Sequence, residues 1–574
     1  MTSRESLVTA GVKTERRFSD ASEQLQQSFV LIFERSCLCA GFHLRQSRSM
    51  TRGSTLGGTR RIGVAETGSE SRSESTAKVP GRSDSSRKMS NRAEDRLNDV
   101  VADENFRRRV EIIFDGLAEM PKDWDVWTVR EQRDWMYAQC GNLYKNLPKS
   151  LTFLCVGSAL IDDCERPECE ARPEWLDHEK FLRGQRFAMD NMAGIFFAQL
   201  LSLYALFSFE NGLKPLVLTG KSSDPFTAFQ RYLSTGVKVK NWYSSDVWSK
   251  DTVGYRDLQT VRKMHAVVRQ RLFDSSLEDI DEASKIHDSW SPARATLLQD
   301  IRNSCPAPLS GQCPFAYTEN DKFKRPKGMN QGEMSATQCG FVGLVILYPE
   351  RFGIHRSTDD DLDAFCHLWR SLGYLLGIED EFNFCSGSLE EVKERSRDFL
   401  EYWVKPNLRE ITPEWEHMLR CVTEGIQYYF PSASYEHGLL YLSELLEMPM
   451  PKLRSSMSYF SWIRYLLMKK TFNWTAKFDG VPALMNRRLI KSIDRAVNFT
   501  EEQLKVLRDK SNETLSKGIA ETNAARSSND LVTSTYWHKV PFLVFLSTCF
   551  LFKCPAILKE LVKKFFRIDK SLNY

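Results

Sequence analysis

From about Phe106 to Phe499, Leu, Phe, Trp and Met return at three- and four-residue intervals, and alternating β-branched runs are scarce. A repeat near 3.6 residues is that of a helix with one apolar face, so the pattern predicts a large all-α domain over residues 105–499, globin-like or a bundle. One helix stands apart. Nineteen residues from Asn191 to Phe209 (NMAGIFFAQLLSLYALFSF) pass without a charge, a length that would also cross a bilayer. Gln199, Ser202, Tyr204 and Ser208 interrupt its apolarity, and it is read as a central core helix. A second apolar run, Val540–Phe552, has thirteen uncharged residues and is followed by the basic stretch ILKELVKKFFRIDK. As a helix it reaches only about 20 Å, short of the roughly 30 Å of hydrocarbon in a bilayer. Residues 536–574 are therefore expected to form a hydrophobic C-terminal helix that associates with a membrane at its interface. Residues 500–535 read as a polar connector.

The N-terminal part follows different rules. Between Gln46 and Ser90 there are eleven serines, interleaved with Arg, Gly and Thr and almost without aromatics. Such a stretch buries too little apolar surface to offset the entropy of ordering it, so residues 1–104 are expected to be a disordered leader. The short apolar run Phe29–Phe33 does not read as a signal peptide. Composition then narrows the function classes. The 574 residues carry 79 Lys+Arg against 75 Asp+Glu, a net charge of +4, which gives no long-range reason to bind nucleic acid. Fourteen cysteines occur without a Cys-x-x-Cys pair, so reduced thiols are expected rather than a disulfide framework or a zinc ribbon. No Gly-x-Gly-x-x-Gly, Walker A, Gly-x-Ser-x-Gly or His-Glu-x-x-His motif is present, which removes the common nucleotide, hydrolase and metalloprotease readings.

Candidate chemistry concentrates in Asp257–Phe273 (DLQTVRKMHAVVRQRLF). Leu258, Val261, His265, Val268 and Leu272 step by three and four and share one helical face. His265 thus sits within an apolar stripe, with Arg262, Lys263 and Arg269 elsewhere around the cylinder. Two readings are open: a core histidine satisfied by its neighbours, or an axial ligand to a planar apolar cofactor, since haem iron takes a neutral imidazole nitrogen. Upstream, Arg231 and Thr235 lie four apart in FQRYLSTGV. Alone they describe an ordinary amphipathic helix, but a guanidinium and a hydroxyl at that spacing can converge on one carboxylate or bound oxygen species.

Several segments occur in an order that resembles a known family. Arg183-Gly184-Gln185 and Leu218-Thr219-Gly220 come first, then Arg231-Tyr-Leu-Ser-Thr235 and Val261-Arg-Lys-Met-His265-Ala-Val-Val-Arg269, with His265 thirty residues after Thr235. Glu333-Met334-Ser335-Ala336-Thr337-Gln338 with Phe341 and Trp369-Arg370-Ser-Leu-Gly373-Tyr374-Leu-Leu-Gly377-Ile378 follow. Together they resemble the catalytic domain of the ER-bound oxygenase / rubber oxygenase (latex-clearing protein) family of b-type haem proteins, over about residues 175–384. The resemblance implies a haem b cofactor with His265 as proximal iron ligand, and Arg231 and Thr235 lining the haem pocket. It implies a dioxygen-dependent attack on an apolar unsaturated chain, isoprenoid or lipid-like, by a membrane-associated protein, in the endoplasmic reticulum branch with the domain facing the cytosol. An alternative is a helical haem- or lipid-binding module without catalysis. Ser234 is too short to reach iron where some rubber oxygenases place a Lys, and neither Glu210 nor Asp224 falls in register as the family's base, so no base is assigned.

Other candidates are weaker. Cys164 and Cys169 with His178 have poor spacing for zinc. His367 lies off the stripe of Leu362, Phe365, Trp369 and Leu376 and is expected to be partly exposed or to contact a loop. His355, flanked by Gly, Arg and Ser, is expected to be solvated. Gly373 and Gly377 are expected to clear a groove for another helix or a flat ring.

Overall fold

The computed structural model describes residues 98, 100, 104–114, 119–160, 172–305, 307 and 327–527. The leader up to residue 97, Cys164, Cys169 and the hydrophobic segment 536–574 lie outside them. The described residues are helical, without strands; a single bridge joins Val100 and Thr128. The helices that position the site are α1 (His178–Asp190), α2 (Met192–Leu206), α3 (Glu210–Leu218), α4 (Pro225–Ser244), α5 (Val253–Asp274), α6 (Gln331–Leu347), α7 (Asp359–Leu375), α8 (Pro413–Gln427), α9 (Tyr459–Asn473), α10 (Val481–Val497) and α11 (Glu501–Ser527).

Local chemistry sets where they begin. Asp224 caps α4 by accepting from the amides of Phe226 and Thr227, both at 2.9 Å, and Pro225 supplies a preset φ in the first turn. Thr252 caps α5, and Asn330 caps α6 through the Glu333 amide. Thr358 and Asp361 form a capping box on α7, whose first turn holds three aspartates that favour the positive end of the helix dipole.

Helix α2 is the uncharged segment singled out in the sequence, and it lies in the core, with Ile195, Ala198, Leu201 and Tyr204 buried. Its polar positions are satisfied: Tyr204 donates to the Tyr435 carbonyl at 3.1 Å, and its own carbonyl accepts from the Trp415 indole at 3.0 Å. Among the described residues no single helix is long and apolar enough to cross a membrane. Helices α2 and α3 together have that length and composition, but they meet at a bend of 104°.

Two close approaches lock the bundle. A Cβ on Gly184 would stand 2.3 Å from the Ala364 carbonyl oxygen, so α1 and α7 touch at backbone distance; at Gly425 it would stand 2.6 Å from the Pro225 carbonyl oxygen and the Phe229 amide, joining α8 to α4. Gln185 ties α1 to the far end of α4 by donating to the Trp242 and Ser245 carbonyls at 2.7 and 2.8 Å.

Three expectations change in the folded chain. The groove at Gly373 is filled: the Gln338 amide lies against it, donating to the Trp369 carbonyl at 3.0 Å and accepting from the Phe384 amide at 2.9 Å. Gly377, with φ +106°, turns the chain out of α7 instead of clearing space. The stretch read as a polar connector from residue 500 begins with α11, which docks through Ser511, Gly518 and Thr522. The Ser511 hydroxyl accepts from the Phe226 amide at 3.0 Å, and that of Thr522 accepts from the Ser291 amide at 2.8 Å. These small polar residues carry no apolar signal. The described cysteines are buried free thiols, as expected.

Gly425→Ala is expected to cost about 1–3 kcal/mol in urea denaturation, because backbone atoms on α4 cannot yield to the added methyl. Gly141→Ala, in a helix where nothing lies within 4 Å of the new Cβ, should be neutral or stabilising by up to about 1 kcal/mol.

Candidate functional site

Helix α5 presents the predicted face. Leu258 and Leu272 are fully buried at its ends, and Val261, His265 and Val268 between them are half-buried. The opposite side, at Met264 and Val267, faces solvent. His265 is set within protein mass, and its Nδ1 is buried with no hydrogen-bond partner among the described residues. The accessible part of the residue is therefore not at Nδ1. Burial, with the Arg269 and Arg231 guanidinium groups adding like charge, pushes the imidazole down to about 4, so it is neutral at physiological pH.

Arg231 projects from the middle of α4 and is anchored by donating from Nη1 to Ser222 Oγ at 3.3 Å and Thr219 Oγ1 at 3.4 Å. The structure thus brings Arg231 and His265 into electrostatic reach of each other, and puts the Thr-Gly turn singled out in the sequence under the same guanidinium. Thr235 is placed differently. It is exposed, and its hydroxyl donates to the Arg231 carbonyl one turn back at 3.0 Å.

A carboxyl assigned no role of its own from the sequence lies behind Met329, which packs beside the C-terminal part of the α5 face. Glu333 is half-buried, its Oε1 is buried without a hydrogen-bond partner among the described residues, and burial raises it to about 7. Its Oε2 accepts from the Met329 amide at 2.9 Å, holding Met329 in the left-handed region at φ 63°. Met329 packs with Val268 against the cluster of Leu218, Leu272 and Ile280, and Val268 and Leu272 lie one and two turns beyond His265 on its face. Asn330-x-x-Glu333 reads in sequence as a capping box, which places the carboxyl on the surface. In the folded chain Gly328 passes between the carboxyl and α3, where a Cβ would stand 3.1 Å from Glu333 Oε2 and 3.3 Å from Pro215.

His367 and His355 resolve as structural. His367 is buried rather than partly exposed, contacts the Asp177 backbone through Nε2 at 3.1 Å and lies edge-on to Trp175. His355 is half-buried instead of solvated: its Nε2 donates to the Phe472 carbonyl at 2.8 Å. A cavity of about 700 Å³ lined in part by Arg183, Arg186, Asp190, His355, Arg356 and Asp361 does not include Arg231, Thr235 or His265. Among the described residues no three His, Cys, Asp or Glu side chains gather to hold a bare metal ion. Haem iron brings its own ring nitrogens and asks less of the protein, an imidazole on an apolar wall. His265 meets that demand in part: it is neutral, half-buried in an apolar stripe and unspent at Nδ1, but Nδ1 has no accessible surface, and iron could reach it only once neighbouring side chains move.

The two buried groups act in opposite directions with pH. His265 has a folded value of about 4 against 6.5, so stability is whole above pH 6.5 and falls as the pH drops through 4. Between pH 8 and pH 5 the wild-type chain should lose about 2 kcal/mol more than His265→Asn in urea denaturation. Glu333 has a folded value of about 7 against 4.5, so its contribution is whole below pH 4.5 and is lost as the pH rises through 7. Glu333→Gln should spare about 2–3 kcal/mol of the loss between pH 5 and pH 9.

Compared with known proteins, the chain matches no family model, no curated protein and no solved structure.

Proposed function

We propose that the chain is a haem b-dependent oxygenase that uses dioxygen on an apolar unsaturated chain, isoprenoid or lipid-like, with the haem held in a globin-like or bundle arrangement of α4 and α5. The observation that carries the reading is His265: a neutral imidazole with a buried, unpartnered Nδ1, in a half-buried apolar stripe beside two guanidinium groups. His265 would ligate the iron, and Arg231 and Arg269 are placed to meet the acidic edge of the macrocycle. When bound, the haem would supply activation of dioxygen, which no side chain can provide.

The chain's own residues do the rest. Val261 and Val268 offer an apolar wall that excludes water from a hydrocarbon substrate. Glu333, poised near neutrality with Oε1 free, can accept or return a proton at that oxygen. Burial, with Arg269 and then Arg231, anchored at Thr219 and Ser222, adding positive charge, keeps the imidazole from protonating. Membrane association through residues 536–574 would keep such an enzyme near an apolar substrate.

A second reading, a haem- or lipid-binding module without turnover, is favoured by Thr235, whose hydroxyl is spent on its own helix and exposed. Absorption spectra of the full chain made under haem-replete conditions test the common ground. A Soret band should be present in wild type and in His367→Ala, and absent in His265→Ala, with far-UV circular dichroism reporting that each is folded. A wild-type chain without the band sinks both readings. Given the band, dioxygen and a polyisoprenoid or polyunsaturated lipid should yield carbonyl products; spectral binding without oxidised product leaves the second reading.

A further inference from the structure

Helix α9 is apolar on two sides. Tyr465 and Phe472 point into the core and are buried. On the other side Phe460, Leu466 and Leu467 are 65%, 39% and 49% exposed, with Ile463 between them. Helical spacing puts all four outward residues on one face, opposite Tyr465 and Phe472. The apolar surface continues past the helix end. The Lys470 ammonium lies 4.9 Å from the Trp474 ring, and Trp474 meets Phe478 edge-on at 4.9 Å. Phe478 is 50% exposed, and Leu484, in the first turn of α10, is 44% exposed. Apolar side chains on the outward face of a surface helix, beside Arg464 and Lys470, belong against another surface or in lipid.

The region's own charges are mostly positive, although Lys469 is paired with Glu444 at 2.5 Å and Asp479 with Arg356. Residues 459–491 contain seven Lys and Arg (Arg464, Lys469, Lys470, Lys477, Arg487, Arg488, Lys491) and a single acid, Asp479. The chain as a whole is only +4, so positive charge is concentrated here. The 700 Å³ cavity adjoins this region through Gly480 and Pro482 and adds Arg186, which has no ion-pair or hydrogen-bond partner among the described residues; Asp190 and the ion-paired Arg183 and Asp361 lie on the same wall.

We infer that the α9–α10 surface is a docking face for an anionic phospholipid membrane. Exposed Phe, Leu and Trp would enter the interfacial layer, and the surrounding Lys and Arg would meet lipid phosphates. Charge selects this occupant over the others. A second copy would bring the same positive face against this one, and the chain's own tail, ILKELVKKFFRIDK, is itself basic. The inference stands without the haem reading, since it uses none of its residues.

Sedimentation of the full chain with phosphatidylcholine vesicles, with and without phosphatidylserine, tests it. Binding should require phosphatidylserine and weaken with salt. Leu467→Ser/Phe478→Ser and Arg487→Glu/Arg488→Glu, all changes at exposed positions, should each lower the partition coefficient roughly tenfold or more while leaving the far-UV circular dichroism and the haem spectrum as in wild type. Wild-type protein that ignores phosphatidylserine overturns the inference. So do variants that bind as wild type does, which would assign binding to residues 536–574, and variants whose change is in sedimenting mass rather than in vesicle binding, which would make the face an interface between copies.

Discussion

Helix α4 is fixed by contacts that leave no room for adjustment, and the geometry of the candidate site follows from that. At its N-terminal end the Pro225 carbonyl and the Phe229 amide lie against Gly425 of α8 at a distance that excludes any side chain. Asp224 caps the first turn and also accepts from the Ser511 hydroxyl of α11 at 3.2 Å. At the C-terminal end Gln185 grips two carbonyls. With both ends held, the middle of the helix can be turned in only one way, and that orientation sends Arg231 under the Thr219–Ser222 turn and toward α5. Packing of this kind is stiff and transmits small errors, which is why a methyl at position 425 matters to a guanidinium several residues away.

Against that rigid frame, the site itself is under-satisfied. His265 is held neutral with an unpartnered nitrogen, and Glu333 is held near neutrality with an unpartnered oxygen. Buried polar atoms without partners cost free energy, and folded chains tolerate few of them. Other buried groups divide in the same way: Tyr204, Trp415 and Gln338 find carbonyls or amides, while the Trp242, Trp248, Trp290 and Trp369 indoles, the Tyr435 and Tyr465 hydroxyls and His355 Nδ1 are buried without hydrogen-bond partners among the described residues. What sets His265 and Glu333 apart is that both are titratable and both are shifted by burial, one down to about 4 and the other up to about 7. The two groups also limit the favourable pH range from opposite sides, one losing stability toward acid and the other toward base.

The α9–α10 face obeys a different economy. Its exposed apolar residues are not a failure of core packing, since Tyr465 and Phe472 complete the core from the same helix. Nor is its positive charge a property of the whole chain. Apolar and cationic groups together, on one outward face, are suited to an interface that is greasy beneath and anionic above.

Much of this was open to reading along the chain. The three-to-four spacing determined the all-α class, the stripe on α5 and the buried line of Leu362, Phe365 and Trp369, because those depend only on helical period and on the preference of apolar side chains for the interior. The uncharged α2 was legible as a core helix because its polar residues are ones that can be satisfied inside a protein. Tertiary structure alone decided the rest. Gly373 was legible as space for another helix or a flat ring, and only the fold showed that it is Gln338 of α6 that fills it; the burial of Glu333 Oε1 left no mark in the sequence. Thr235 shares a helical face with Arg231 in sequence, yet its hydroxyl turns to its own backbone. The docking of α11 through Ser, Gly and Thr left no periodic mark. In each of these cases the deciding partner is far away in sequence, and a period of 3.6 residues carries information only about neighbours on the same helix. Which face is apolar is a local property; which neighbour meets that face, and whether a buried nitrogen finds a partner there, is settled only when distant helices come together.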